Sequence, residues 1–304
     1  TYYDTLADAF TAIETEGTVE LVADATVNVV INVFSGKTVT LDLGNYQVTP
    51  TERSSSGKIF RNYGTFTIKG DTDGVIDATS KDGTWSAIEN DGGTLNILSG
   101  TIKGNDKAIA MKNAGTVNIS GGSLQGNKKA DAYSGYALQI TKGGVVTISG
   151  DAQLIGVDAV VDVQGGTLNI SNDAYLSGEF GVLLCNLPNT NDTTQNPTSA
   201  TLTMTGGTIE ATTGFALAGN NTQSAQCNAT ITGGTLRQTG GETCIYWPME
   251  GTLTIGGDAV VEGATGIEAK MGTINIQDDA TIRGTGEYLE QKPFDGGSEA
   301  EGSA

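Results

Sequence analysis

The sequence has no histidine, and its 304 residues include only 5 prolines, 3 cysteines and 16 lysines plus arginines. Each shortage excludes something. Without histidine the commonest general base, the imidazole metal ligand and any Ser-His-Asp arrangement are all missing. Three cysteines are too few for a disulfide scaffold. The basic residues face 35 Asp and Glu, and the resulting charge of −19 argues against nucleic-acid or anionic-membrane partners. No apolar run approaches membrane-spanning length, so no membrane insertion is expected. The chain opens at Thr1 with neither Met nor a signal-like segment, and the expectation is that a preceding segment has been removed.

Glycine is plentiful, at 44 residues, about twice its usual share. With proline scarce, this suits a chain that bends often and keeps its backbone donors. The bends recur. Thr94-Leu-Asn-Ile97, inside Gly92-Gly-Thr-Leu-Asn-Ile-Leu-Ser-Gly-Thr-Ile-Lys-Gly104, returns as Thr65–Ile68, Thr116–Ile119, Val145–Ile148, Thr167–Ile170, Thr201–Met204, Asn228–Ile231, Thr252–Ile255 and Thr273–Ile276, after an earlier Thr38–Leu41. Their last residues, from Leu41 to Ile276, are 27, 29, 22, 29, 22, 34, 27, 24 and 21 apart, which signals a solenoid.

Within each repeat an apolar-rich segment such as Trp85-Ser-Ala-Ile-Glu-Asn90 leads through a Gly-rich turn to the Thr-h-Asn/Thr-Ile strand, where h is apolar. A second turn and a short strand such as Thr101-Ile-Lys103 follow. Period-two alternation marks strands with one buried face. Three strands per turn and no helix between them predict an all-β fold: a single right-handed parallel β-helix of about ten rungs, the hand following from the general rule for parallel crossovers. Leu95, Ile97, Val117, Ile119, Leu168, Ile170, Leu253 and Ile255 are predicted to line the bore.

The ends differ. Residues 1–17 read as a capping α-helix over residues 4–16, with Asp4 as cap and Leu6, Phe10 and Ile13 at helical spacing. Residues 18–284 form the β-helix, and 285–304 a C-terminal cap (Tyr288, Leu289, Phe294) plus an acidic Gly/Ser tail. Polar insertions fall at 51–58, 126–135, 186–200 and 219–226, the last two at corresponding corners of consecutive rungs. Such insertions mark a working face or are simply tolerated surface loops. Cys185, Cys227 and Cys244 are read first as free thiols packing as small apolar residues; a clip between Cys185 and Cys227 is the alternative in an oxidising compartment.

The passage Tyr3-x-Thr-Leu-x-x-Ala-Phe10, then Gly17-Thr-Val-Glu-Leu21, Asp24 and Ser35-Gly-Lys-Thr-Val-Thr-Leu-Asp-Leu43, resembles the pectin-lyase-like β-helix modules of large surface proteins in Gram-positive, often gut-associated, bacteria. The resemblance is most specific over the first ~45 residues and looser over the Gly-Gly-Thr-h-Asn-Ile rungs. It implies an extracellular, wall-attached or secreted protein used for adhesion or glycan contact.

Catalytic parts are hard to assemble. A lyase needs a base beside a uronate and usually a carboxylate cluster for calcium, yet no arginine is seen to recur beside an acidic cluster in neighbouring rungs. Asp71 and Asp73, in Asp71-Thr-Asp-Gly74, are weak metal candidates that lack the remaining ligands of a calcium loop; otherwise no cofactor is expected. A hydrolase needs two carboxyls about 5–9.5 Å apart. In the outward column expected to hold Glu89, Lys112, Gln139, Asp162, Tyr246 and Glu268, Glu89 and Asp162 are three rungs apart, about 14 Å. The favoured expectation is a non-catalytic extracellular module that binds a glycan or a protein on the looped side, with Gln139, Asp162, Tyr246 and Trp247 as contacts. Burial trends give Trp247 a competing place in the core. A β-helix lyase or glycoside hydrolase, a phage or surface fibre, and an ice-binding face of Thr-x-Thr columns are the alternatives.

Overall fold

A computed structural model describes residues 1–51, 57–79, 86–127, 135–141, 143–184, 199–219 and 227–286. Among these residues there is one helix, and all the strands pair in parallel as a β-solenoid. Three ladders run along it. The first carries the repeated strand and stacks Glu16–Glu20, Thr38–Asp42, Thr65–Lys69, Thr94–Ile97 and Thr116–Ile119, continuing to Thr273–Ile276. The second runs from Ala25–Val27 to Thr281–Gly284. The third is a separate 10-stranded sheet from Ile31–Val33 to Thr265–Ala269. At sheet spacing ten stacked strands extend about 45 Å. In two turns the first and second strands merge, as Ala200–Ala211 and Asn228–Gln238.

The register places every predicted bore residue inside. Leu95 and Ile97 lie on Val117 and Ile119 of the next rung, and all eight of the predicted bore residues are at most 1% exposed. One core runs from Leu6 in the helix to Val261. At roughly 1.5–3 kcal/mol per buried aliphatic side chain, stacking supplies what no single rung holds.

Polar residues also enter the interior. Asn62 and Asn90 succeed one another in an inward column of the third ladder and are fully buried. Asn62 Nδ2 donates to Asn90 Oδ1 (2.7 Å) and to Thr94 O (3.0 Å), and Asn90 Nδ2 donates to Gly93 O (2.9 Å). Their amides thus satisfy the backbone of the corners leading into the first ladder, as buried polar groups require. This explains the Gly-Gly pair: Gly92 has φ +81°, and a Cβ on Gly93 would lie 2.6 Å from Asn62 Nδ2.

The N-terminal helix is shorter than expected, Leu6–Ala12. Thr5, not Asp4, is its N-cap, because the Thr5 hydroxyl accepts from Asp8 N at 3.1 Å. Ile13 is already extended, and strand formation begins at Glu16, so the helix does not reach residue 16. Phe10 plugs the end of the bore, its ring centroid 5.8 Å from those of both Phe60 and Phe66. At the other end Ile274 and Ile282 are partly buried and Ile276 is 57% exposed. The C-terminal residues Tyr288, Leu289 and Phe294 lie outside the described residues.

Cys227 is disulfide-bonded, which corrects the reading of three free thiols; Cys185 lies outside the described residues. Cys244 is free and buried, and loss of solvent pushes its thiol up to about 12.

Candidate binding face

The third ladder carries the outward column in which the candidate contacts were sought. Its register runs Asn32, Arg61, Glu89, Ala110, Gln139, Asp162, Leu183, Ala218, Tyr246, Glu268. Lys112 is absent from it: Ala110 is the residue that pairs with Glu89, and Lys112 lies two residues further on, where the register shift between Met111 and Asn113 leaves it unpaired. An extra residue in a strand has this effect.

Gln139 and Asp162 are brought together. Gln139 Nε2 and Gln164 Nε2 each donate to Asp162 Oδ2 at 2.9 Å. Asp162 is fully buried although its strand position faces outward, so it acts within this network and not at the surface. Three rungs away, Glu89 is held by Lys58 and by Arg61, whose Nε approaches Oε1 to 2.6 Å as an ion pair without hydrogen-bond alignment.

Tyr246 and Trp247 separate. Tyr246 stays outward and half-buried, whereas Trp247 follows Leu184 and Gly219 in the inward column and is 0% exposed. That burial removes Trp247 as a surface contact. Among the described residues its indole Nε1 has no hydrogen-bond partner, and the bare Gly272 makes room for it, since a Cβ there would lie 2.9 Å from Nε1. Asp71 and Asp73 are exposed in a turn closed by Gly74 N donating to Asp71 O, and the Asp71 carboxylate accepts from Asn45. Among the described residues no group of three or more His, Cys, Asp or Glu is arranged to hold a metal ion.

Tyr246 is one end of an aromatic strip. Its ring stacks on Phe215 in the preceding turn, with centroids 5.0 Å apart and planes 20° apart, and Phe215 meets Phe180 of the turn before edge-on at 6.2 Å. All three are half-buried. Phe180 opens the strand Phe180–Leu184 and Phe215 precedes Leu217–Gly219. Phe180 lies across Gly214, where a Cβ would come within 2.1 Å of its ring. Below the strip, Glu268 and Lys270 pair at 2.6 Å, which raises the lysine's affinity for its proton.

Among solved structures, the chain is similar to the Streptococcus pneumoniae surface protein and adhesin PfbA, at TM-score 0.41 and 11% identity over 90% of this chain and 93% of that one. No family model matches the sequence, and neither does any curated protein. The description of the fold therefore rests on the strand pairings themselves.

Two features of this surface escaped the sequence reading. Phe180 and Phe215 were not singled out, because each stands at a corner and outside the alternating part of its strand. The arginines were also misjudged. On the outer face of the second ladder Glu210, Arg237, Glu262 and Arg283 follow one another in register. Arg237 Nε lies 3.5 Å from Glu262 Oε2, and Arg283 Nη1 donates to Glu262 Oε1 at 2.7 Å. Aligning Ile209-Glu210, Leu236-Arg237, Val261-Glu262 and Ile282-Arg283 would have revealed this alternation. It is a column of exposed and half-exposed ion pairs on a strand face, each worth little.

On the first ladder, the two outward Thr/Asn columns are in register as expected. Asn118 Nδ2 donates to Asn96 Oδ1 at 2.9 Å, and Asn96 Nδ2 to Thr67 Oγ1 at 3.3 Å. Those amides are spent on one another, and Val145, 41% exposed, interrupts the array.

Proposed function

We propose that this chain is a non-catalytic adhesion or display module of an extracellular or cell-surface protein, of the pectin-lyase-like β-helix kind, which binds a glycan or a protein through the outer face of the third ladder. The observation that carries the reading is the half-buried strip Phe180, Phe215 and Tyr246 on three successive turns. Aromatic rings supported from behind offer apolar area at low ordering cost, and a tyrosine adds a hydroxyl for orientation. Packed ring against ring beside the third ladder, they are ordered before any ligand arrives, which reduces the ordering cost of binding.

The carboxylates of the same face support the non-catalytic part. Glu89 is neutralised by two cations and Asp162 is engaged by two amides; their rungs put them about 14 Å apart, beyond the separation a glycosidase pair uses. The disulfide at Cys227 suits an oxidising, extracellular location. No helix among the described residues is long and apolar enough to cross a membrane. Gln139, two rungs before the turn that carries Phe180, enters the reading as an outlying polar contact, not as its centre.

An array of host-mucin glycans, plant polysaccharides and surface proteins, probed with the purified chain, tests the reading. Retention of a panel member without release of sugars is the expected result. Accumulation of unsaturated or reducing-end sugars would overturn the non-catalytic assignment.

A further inference from the structure

The end of the solenoid beneath the N-terminal helix holds a second surface, independent of the aromatic strip. Among the described residues the strand Glu16–Glu20 pairs on one side only, with Thr38–Asp42. Thr15 O and Leu21 N both bond toward that neighbour, so by the alternation of a parallel ladder the N–H and C=O groups of Glu16, Thr18 and Glu20 face the other way. Thr18 and Glu20 there line a cleft of about 870 Å³ between the first rung and the N-terminal segment. Tyr2, Tyr3 and Val22, which are 89%, 47% and 64% exposed, give it apolar walls.

An unpaired strand edge beside apolar side chains is a template for strand addition. Charge selects what can add. Asp4, Glu20 and Asp24 line the cleft and, among the described residues, no lysine or arginine side chain does; Asp24 Oδ1 accepts from Gln47 N. A second copy of this chain is a poor occupant, because it carries −19 itself.

We propose that the cleft receives an extended segment of a basic partner protein, which adds as a further strand along Glu16–Glu20. Its lysines or arginines face Asp4, Glu20 and Asp24, and its alternate apolar residues cover Tyr3 and Val22.

The probe is a fluorescein-labelled octapeptide of alternating lysine and valine, compared by anisotropy with its glutamate-valine counterpart at low and high salt. The lysine peptide binds, the glutamate peptide does not, and salt weakens the binding. D4N/E20Q, which removes two charges and no hydrogen bond of the fold, lowers affinity roughly three- to tenfold. Thr18→Pro, which removes an edge N–H while leaving the pairing with Thr38–Asp42, lowers it about tenfold, and the melting curve of each variant checks that the fold is kept. Absence of binding, equal affinity for both peptides, or binding indifferent to both variants would overturn the proposal.

Discussion

At the scale of single residues, the side of the sheet a residue faces decides its worth. Ile119 is 1% exposed inside the bore, and Thr116, three residues earlier, is half-buried on the outer column. Ile119→Ala leaves a cavity and is expected to cost about 2–5 kcal/mol, whereas Thr116→Ala changes stability by roughly 0.5 kcal/mol or less. Equal shifts in denaturant melts would contradict the assigned faces. Cys244 gives a chemical check of the same packing. With its thiol pushed up to about 12 by burial, it is expected to resist alkylation in the native protein and to react once the chain is unfolded, read by peptide mapping.

Asp42 links a single residue to pH. Its hydrogen bond to Lys69, with the oxygen and nitrogen 2.5 Å apart, holds the carboxyl below its ordinary pKa of 3.8. Because the folded value is the lower one, the contribution is present above the unfolded pKa and is lost as pH falls through the folded value. Asp42→Asn is therefore expected to flatten part of the acid limb of a melting-temperature profile below about pH 4 and to leave its slope between pH 5 and 8 unchanged. An identical acid limb in the variant would remove the pair from the account.

At the scale of the element, the strands were legible where one face is buried continuously. Leu95, Ile97, Val117 and Ile119 were placed correctly because a slip of one residue would have sent every apolar side chain to solvent. Legibility failed where the chain leaves that pattern. Lys112 falls at a bulge between Met111 and Asn113, two residues past Ala110, which is the partner of Glu89. Phe180 and Phe215 sit at corners, where alternation has lapsed. The buried Asn62 and Asn90 were not singled out, because their partners are each other and the backbone carbonyls of the corners.

Trp247 is a different case. The register that sends Tyr246 outward sends its neighbour inward, and Trp247 takes the core place that burial trends had given it beside its reading as a contact. Trp247→Ala is expected to cost about 3–5 kcal/mol through cavity formation and to act on stability, not on ligand affinity in the fraction that remains folded. A melting temperature within the error of the wild type would show that the indole is not in the bore.

At the scale of the whole molecule, each turn contacts chiefly its neighbours, so stability accumulates turn by turn and one face can change without disturbing the others. That independence makes the functional claim separable from the fold. The third ladder carries the aromatic strip, the second an alternating column of Glu and Arg, and the first the Thr and Asn columns. The measurement that tests the claim most directly is surface plasmon resonance with whichever panel glycan or protein the wild type retains, comparing F215A/Y246A on the third ladder with R237A/E262A on the second. The account predicts that the first pair weakens binding at least tenfold, on the scale of an interface hot spot, that the second pair leaves it unchanged, and that both variants melt cooperatively. Unchanged affinity in F215A/Y246A, or an equal loss in R237A/E262A, would contradict it.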